Sequence, residues 1–134
     1  MILIDTNIII RLITKDPIEH YEKAKEFFED IAMRKKKGII LESVLIECYF
    51  VLHKLYKIDK LKVIHKLQIL LEFENIVNKD KYTLLGALNI LKEKNIDFVD
   101  ALICAKSSIN GYKIISFDKD IKKCSENLDK IIKL

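Results

Sequence analysis

Two rhythms of apolar positions run along this chain. Ile2, Leu3 and Ile4 lead straight into Asp5, Thr6 and Asn7, and apolar residues resume at Ile8. Short apolar runs on both sides of one carboxylate predict a buried strand over residues 2–5, a tight turn, and a short helix over 7–13. Tyr21, Ala24, Phe27, Phe28 and Ile31 then recur at helical spacing. Asp16 is placed to cap that helix, Pro17 fits its first position, and Glu19 can close a capping box. It ends in Arg34, Lys35, Lys36 and Lys37, with Gly38 following as a stop. Residues 38–41 read as a second strand. Ser43 can cap a helix over 44–56, and Asp59 one carrying Leu61, Ile64, Leu67, Ile69 and Leu70. A third strand is expected at 73–77, and helices from Asp80 to Lys94 and from Asp97 to Ile109, the last stopped at Asn110 and Gly111. Residues 113–116 form a strand, 118–125 a turn or short helix, and 130–134 a final strand.

Strands alternating with helices imply an α/β fold with a parallel sheet covered on both faces. At 134 residues, with one Pro and three Gly, the chain has little room for linkers, and residues 1–134 are expected to form a single domain. Half of the residues are hydrophobic and 33% charged, which excludes a disordered chain. The net charge of +4 permits a polyanionic partner without requiring one. The basic run at 34–37 suits a phosphate, although a solvated helix end explains it as well. No apolar run approaches the ~18 residues of a membrane span. No basic segment precedes the first apolar run, so neither a leader nor a membrane is expected. Cys48, Cys104 and Cys124 are odd in number and widely spaced, which suggests neither a disulfide framework nor a zinc site. Cys48 and Cys104 lie among apolar neighbours and read as reduced core residues, pointing to a reducing, cytoplasmic compartment.

Most acids lie on polar stretches beside Lys and read as solvated helix faces. Four stand apart. Asp5 ends a strand, where a turn or helix cap would also explain it. Glu47 sits mid-helix, with Val44, Ser43 and Val51 three and four positions away; a carboxylate on an apolar face is costly unless paired or bound to a cation. Asp100 falls at the third helical position after Asp97, which suits a capping box, yet it shares a stripe with Ile103, Cys104 and Ser107 and should point inward. Asp118 ends another strand, with Asp120 two residues on, and turn chemistry is the competing explanation for this pair. Together they suggest carboxylates gathered about a cation, because clustered carboxylates resist burial without one. Oxygen-only ligands suit Mg²⁺ or Mn²⁺. His20, His53 and His65 lie on helices away from these motifs.

At these residues the sequence resembles PIN-domain ribonucleases, and among them the toxins of VapBC-type toxin–antitoxin pairs. The resemblance rests on the ordered motifs Ile4-Asp5-Thr6-Asn7, Ser43 with Glu47, the run from Asp97 to Ile103, and the run from Ile115 to Asp120. It implies a three-layer α/β/α sandwich with a mostly parallel central sheet, a homodimer, and a Mg²⁺- or Mn²⁺-dependent endoribonuclease site. Asp5 and Asp100 would be the main metal ligands, with Glu47 and Asp118 completing the quartet. Asn7 would orient Asp5, Ser116 would hold the site by hydrogen bonds, and Asp120 would be a weaker ligand than Asp118. Glu42 is the alternative to Glu47. An antitoxin protein would hold the enzyme in check, and the apolar helices near 44–55 and 61–71 could face it or a second copy, or simply form the core. A housekeeping RNA-processing nuclease and a non-catalytic PIN-like interaction module are the other readings. A phosphotransfer domain fits poorly, since Asp5 has no Asp-x-Asp partner.

Overall fold

Parallel pairing, expected from the alternation of strands and helices, holds in the computed structural model, which describes residues 1–124 and 130–132. The chain divides into two compact units, Met1–Lys79 and Asp80–Leu134. In the first, β1 (Ile2–Leu3) leads to α1 (Thr6–Thr14) and α2 (Ile18–Ala32), then β2 (Gly38–Ile39), α3 (Glu42–Phe50) and α4 (Lys60–Glu72). A π-helical turn at Val51–Leu55 extends α3. The second unit holds α5 (Lys81–Glu93), α6 (Phe98–Asn110), β3 (Ile114–Ile115), α7 (Ile121–Cys124) and β4 (Ile131–Ile132). The expected final strand begins at 130; its last two residues, 133 and 134, lie outside the described residues, as does Ser125 at the end of the expected turn.

β1 pairs with β2 in the register Ile2 to Gly38 and Leu3 to Ile39. Gly38 lets the strands pack closely here: a Cβ would stand 2.8 Å from the Ile4 Cδ1 atom and would have to displace that side-chain end. The strand expected at 73–77 shrinks to a single bridge between Gly38 and Ile76. A side chain continues the ladder beyond it: the Ile40 N–H donates to Asn78 Oδ1 at 3.0 Å, and Asn78 Nδ2 donates back to the Ile40 carbonyl. The amide mimics a strand partner, so the backbone there need not extend. In the second unit β3 pairs with β4, Ile114 to Ile131 and Ile115 to Ile132.

Several helix starts differ from expectation. Asp16 does not cap α2, because Pro17 is itself extended (φ −70°, ψ 155°) and occupies the cap position without a side-chain bond. Ser43 lies inside α3, which begins two residues earlier than expected, with Leu41 at its cap. Gly38 does not stop α2 either. The helix ends at Ala32, and the left-handed residue is Arg34 (φ 62°). Asp59 does cap α4, accepting the Leu61 N–H at 3.2 Å, and Gly111 (φ 75°) closes α6 by donating to the Ser107 carbonyl at 3.0 Å.

The first unit's core gathers Ile9, Phe28, Ile31, Ile40, Leu45, Leu52, Leu67 and Leu71; that of the second gathers Leu84, Leu88, Leu91, Phe98, Leu102 and Ile114. Much of the apolar content of α3 and α4 is thus ordinary core, although Phe50, Leu55, Tyr56, Leu61 and Ile69 remain exposed. The basic run is partly neutralised: Arg34 pairs with Glu74, and Lys36 with Asp30 at 3.2 Å. Among the described residues, no helix is long and apolar enough to cross a membrane.

Candidate active site

The acidic residues singled out above fall into two groups, one in each unit. In the first unit, Asp5 is the cap residue of α1, extended at φ −78° and ψ 155°, and its Oδ1 accepts the Thr6 N–H at 2.8 Å. The cap explanation therefore holds for this carboxylate, which nonetheless stays exposed and open on its outer side. Asn7 is exposed in the first turn of α1; among the described residues it makes no hydrogen bond to Asp5.

Glu47 corrects the expectation of a carboxylate on an inward face. Leu45, Cys48 and Leu52 are fully buried and define the stripe that α3 and its π-helical extension turn inward. Glu47 lies on the far side of that stripe and is exposed. The error arose because α3 is apolar almost all round, so apolar neighbours did not identify its inner face. Glu42, at the first position of α3, is half-buried. Asp5 and Glu47 do act on a common neighbour. The buried Cys48 thiol is pushed up to about 12, first by burial and then by the negative charges of Glu47 and Asp5.

In the second unit the acids come together. Asp100, Asp118 and Asp120 each offer a carboxylate oxygen, all within 4.8 Å of one another. Asp100 is half-buried in the first turn of α6, where Cys104 and Ser107 follow on the buried side. The capping box does not form, since Asp97 makes no side-chain cap bond. Asp100 is free to face its fellow acids, and its carboxyl is raised above the usual range, first by burial and then by Asp118, Asp97 and Asp120. Asp118 and Asp120 are set by the turn after β3. The Asp118 N–H donates to Ser116 Oγ at 2.9 Å, and the Asp120 N–H donates to Asp118 Oδ1 at 2.9 Å. Ser116 thus positions Asp118 through its backbone. The turn chemistry that competed with a functional reading is present, and it is what aims the two carboxylates.

One participant escaped the sequence. Asp120, expected as the weaker candidate, joins Asp100 and Asp118 in the cluster. Lys123 binds it, Nζ to Oδ1 at 2.9 Å, and the ammonium is raised first by that hydrogen bond. Their three-residue spacing was the available signal. The cysteine reading is also corrected: Cys104 and Cys124 form a disulfide, their Cα atoms 6.0 Å apart, and Cys48 alone is a free thiol. α7 carries Cys124 back to α6, a return that a 20-residue spacing cannot reveal. The inference of a reducing compartment loses its basis.

Three clustered carboxylates, with no nitrogen or sulfur ligand in the group among the described residues, fit a hard divalent cation such as Mg²⁺ or Mn²⁺, and such a cation relieves the repulsion that adds to burial in raising Asp100. A VapC ribonuclease from Aquifex aeolicus (strain VF5) is 25% identical over 124 residues, which cover 92% of this chain and 91% of that protein. The PIN domain pattern matches residues 2–127, running through both units and through every acid discussed, and the chain belongs to the PIN domain family.

Proposed function

We propose that this protein is a divalent-metal-dependent endoribonuclease, the toxin of a toxin–antitoxin pair, working as a homodimer. The observation that carries the reading is the cluster of Asp100, Asp118 and Asp120 in a PIN-family chain. The similarity to a VapC ribonuclease supports the toxin assignment, an antitoxin partner and the three-layer α/β/α arrangement of one PIN domain.

Asp100 and Asp118 are assigned as metal ligands with Asp120 beside them, and Asp5 and Glu47 take the remaining acidic roles by their match to the family's motifs. A bound Mg²⁺ or Mn²⁺ supplies Lewis-acid stabilisation of phosphate charge and activation of the attacking water. Ser116 holds the Asp118 backbone, and the Asp118 carboxylate in turn fixes the Asp120 N–H, so the ligands are set before substrate arrives. Asp5 keeps its α1 cap while its outer face accepts further contacts. Phe117, between Ser116 and Asp118, is 92% exposed and offers a face on which an unpaired base stacks next to the acids. The exposed apolar residues on α3 and α4 supply a surface for a second copy or an antitoxin.

The test is cleavage of a mixed RNA pool by wild type and Asp5→Asn, with Mg²⁺, with Mn²⁺ and with a chelator. Wild type should cut only with a divalent cation, and the variant should not cut. Wild-type cutting that persists in the chelator, or none by wild type with either ion, refutes the enzyme; equal cutting by both proteins removes Asp5 from the site.

A further inference from the structure

The disulfide joins the two limbs that carry the acidic cluster. Cys104 lies one helical turn after Asp100 on α6. Cys124 ends α7, the four-residue helix that follows directly on the turn holding Asp118 and Asp120. Lys123, beside Cys124, is ion-paired to Asp120. A helix this short has no stability of its own. What anchors it among the described residues is burial of Ile121 and the bond from Cys124 to α6. Three carboxylates within 4.8 Å repel one another, so without a cation their turn is pushed away from α6. The covalent tie opposes that push.

We propose that the Cys104–Cys124 disulfide is a positioning device for the acidic cluster, and that its reduction by a dithiol loosens the cluster and weakens its hold on a divalent cation. The inference rests on the reading of Asp100, Asp118 and Asp120 as a cation site. Asp118 and Asp120 remain the ligands, and the cysteines act through them. In the reduction, a thiolate of the dithiol attacks one sulfur and displaces the other cysteine as a thiolate. The dithiol's second thiolate then attacks the mixed disulfide and releases the first cysteine. Two electrons and two protons pass to the protein, giving two thiols, and the dithiol leaves as a disulfide. A route exists. The cysteines are only 2% and 8% exposed, but both line a cavity of about 650 Å³ that also carries Lys123 and Lys130. Ammonium groups there favour the thiolates that attack and leave.

The test uses the full chain in three forms: oxidised wild type, wild type reduced with dithiothreitol and desalted without oxygen, and Cys104→Ser/Cys124→Ser. Alkylation and mass measurement count free thiols, and Mn²⁺ affinity is read from the electron paramagnetic resonance signal of the free ion. Oxidised protein should show one free thiol and bind Mn²⁺ roughly tenfold more tightly than the other two forms. Reoxidation should restore the wild type but not the double variant, and amide exchange over 118–124 should quicken on reduction. A mere staple would shift only the melting temperature. Equal Mn²⁺ affinity in fully oxidised and fully reduced protein overturns the inference while sparing the cation site, as do three free thiols in oxidised preparations. Absence of Mn²⁺ binding in every form removes the cation site and the inference with it. Should the double variant fail to fold, Cys124→Ala gives the same comparison with α6 intact.

Discussion

Asp5 and Asp118 occupy equivalent local positions, each just beyond a parallel strand, yet they end in different surroundings. Asp5 opens a nine-residue helix at once and spends one carboxylate oxygen on the Thr6 N–H. Asp118 opens a turn, takes a bond from its own backbone to Ser116, and stands beside two more carboxylates. Around Asp5 and Glu47 the common neighbour is a thiol raised first by burial and then by their negative charge. Around Asp118 the neighbours are acids, and Asp100 is raised first by burial and then by the charge beside it. A strand end therefore supplies only an exposed position for a carboxylate. What packs beside it within its own unit decides what its charge acts on, a buried thiol or fellow acids.

The sharpest way to break this contrast is to neutralise each acid and measure RNA cleavage. Asp100→Asn and Asp5→Asn should each lower kcat by roughly 10²-fold or more, and Asp120→Asn by about tenfold. Retained activity in Asp5→Asn alone would leave that carboxylate a helix cap and nothing more. Stability at high pH probes the thiol side. Cys48 holds its proton more tightly folded than unfolded, from an ordinary value of 9.0 to about 12. Its contribution is therefore complete below pH 9 and is lost as pH rises toward 12. Between those limits the wild type should lose up to about 1.4 kcal/mol more per pH unit than Cys48→Ala in urea unfolding. Parallel slopes would deny the burial. Phe117→Ala should raise KM about tenfold with kcat little changed, if a base stacks on that ring. The smallest effect is thermal. Asp5→Ala should cost about 1 kcal/mol through the lost cap, whereas Asp100→Ala should leave the metal-free protein unharmed or more stable. Because the Asp100 carboxyl is raised, the metal-free wild type should also gain stability as pH falls through its titration. Thermal melts of both variants against pH check both signs.

The sequence announced most helices because their apolar spacing and stops are local: Asp59 and Gly111 act where they stand. Strand pairing was legible only as an alternation, and the segment at 73–77 became a single bridge because the Asn78 side chain substitutes for backbone, a long-range event. Among the acids, Asp100 and Asp118 could be singled out from their positions, since a stripe and a strand end are short-range patterns. Glu47 misled because α3 has too few polar residues to mark its inner face. The pairing of Cys104 with Cys124 depends on how α7 returns to α6, which no local spacing encodes.

Asp100, Asp118 and Asp120 are proposed to hold the cation on which RNA cleavage depends. Mn²⁺ binding and RNA cleavage measured on the same samples of wild type, Asp100→Asn and Asp118→Asn test it most directly. Each substitution should weaken Mn²⁺ binding and cleavage together, and cleavage by the wild type should saturate along its Mn²⁺ binding curve. Undiminished Mn²⁺ binding by Asp100→Asn and Asp118→Asn, or wild-type cleavage that persists in excess chelator, would contradict it.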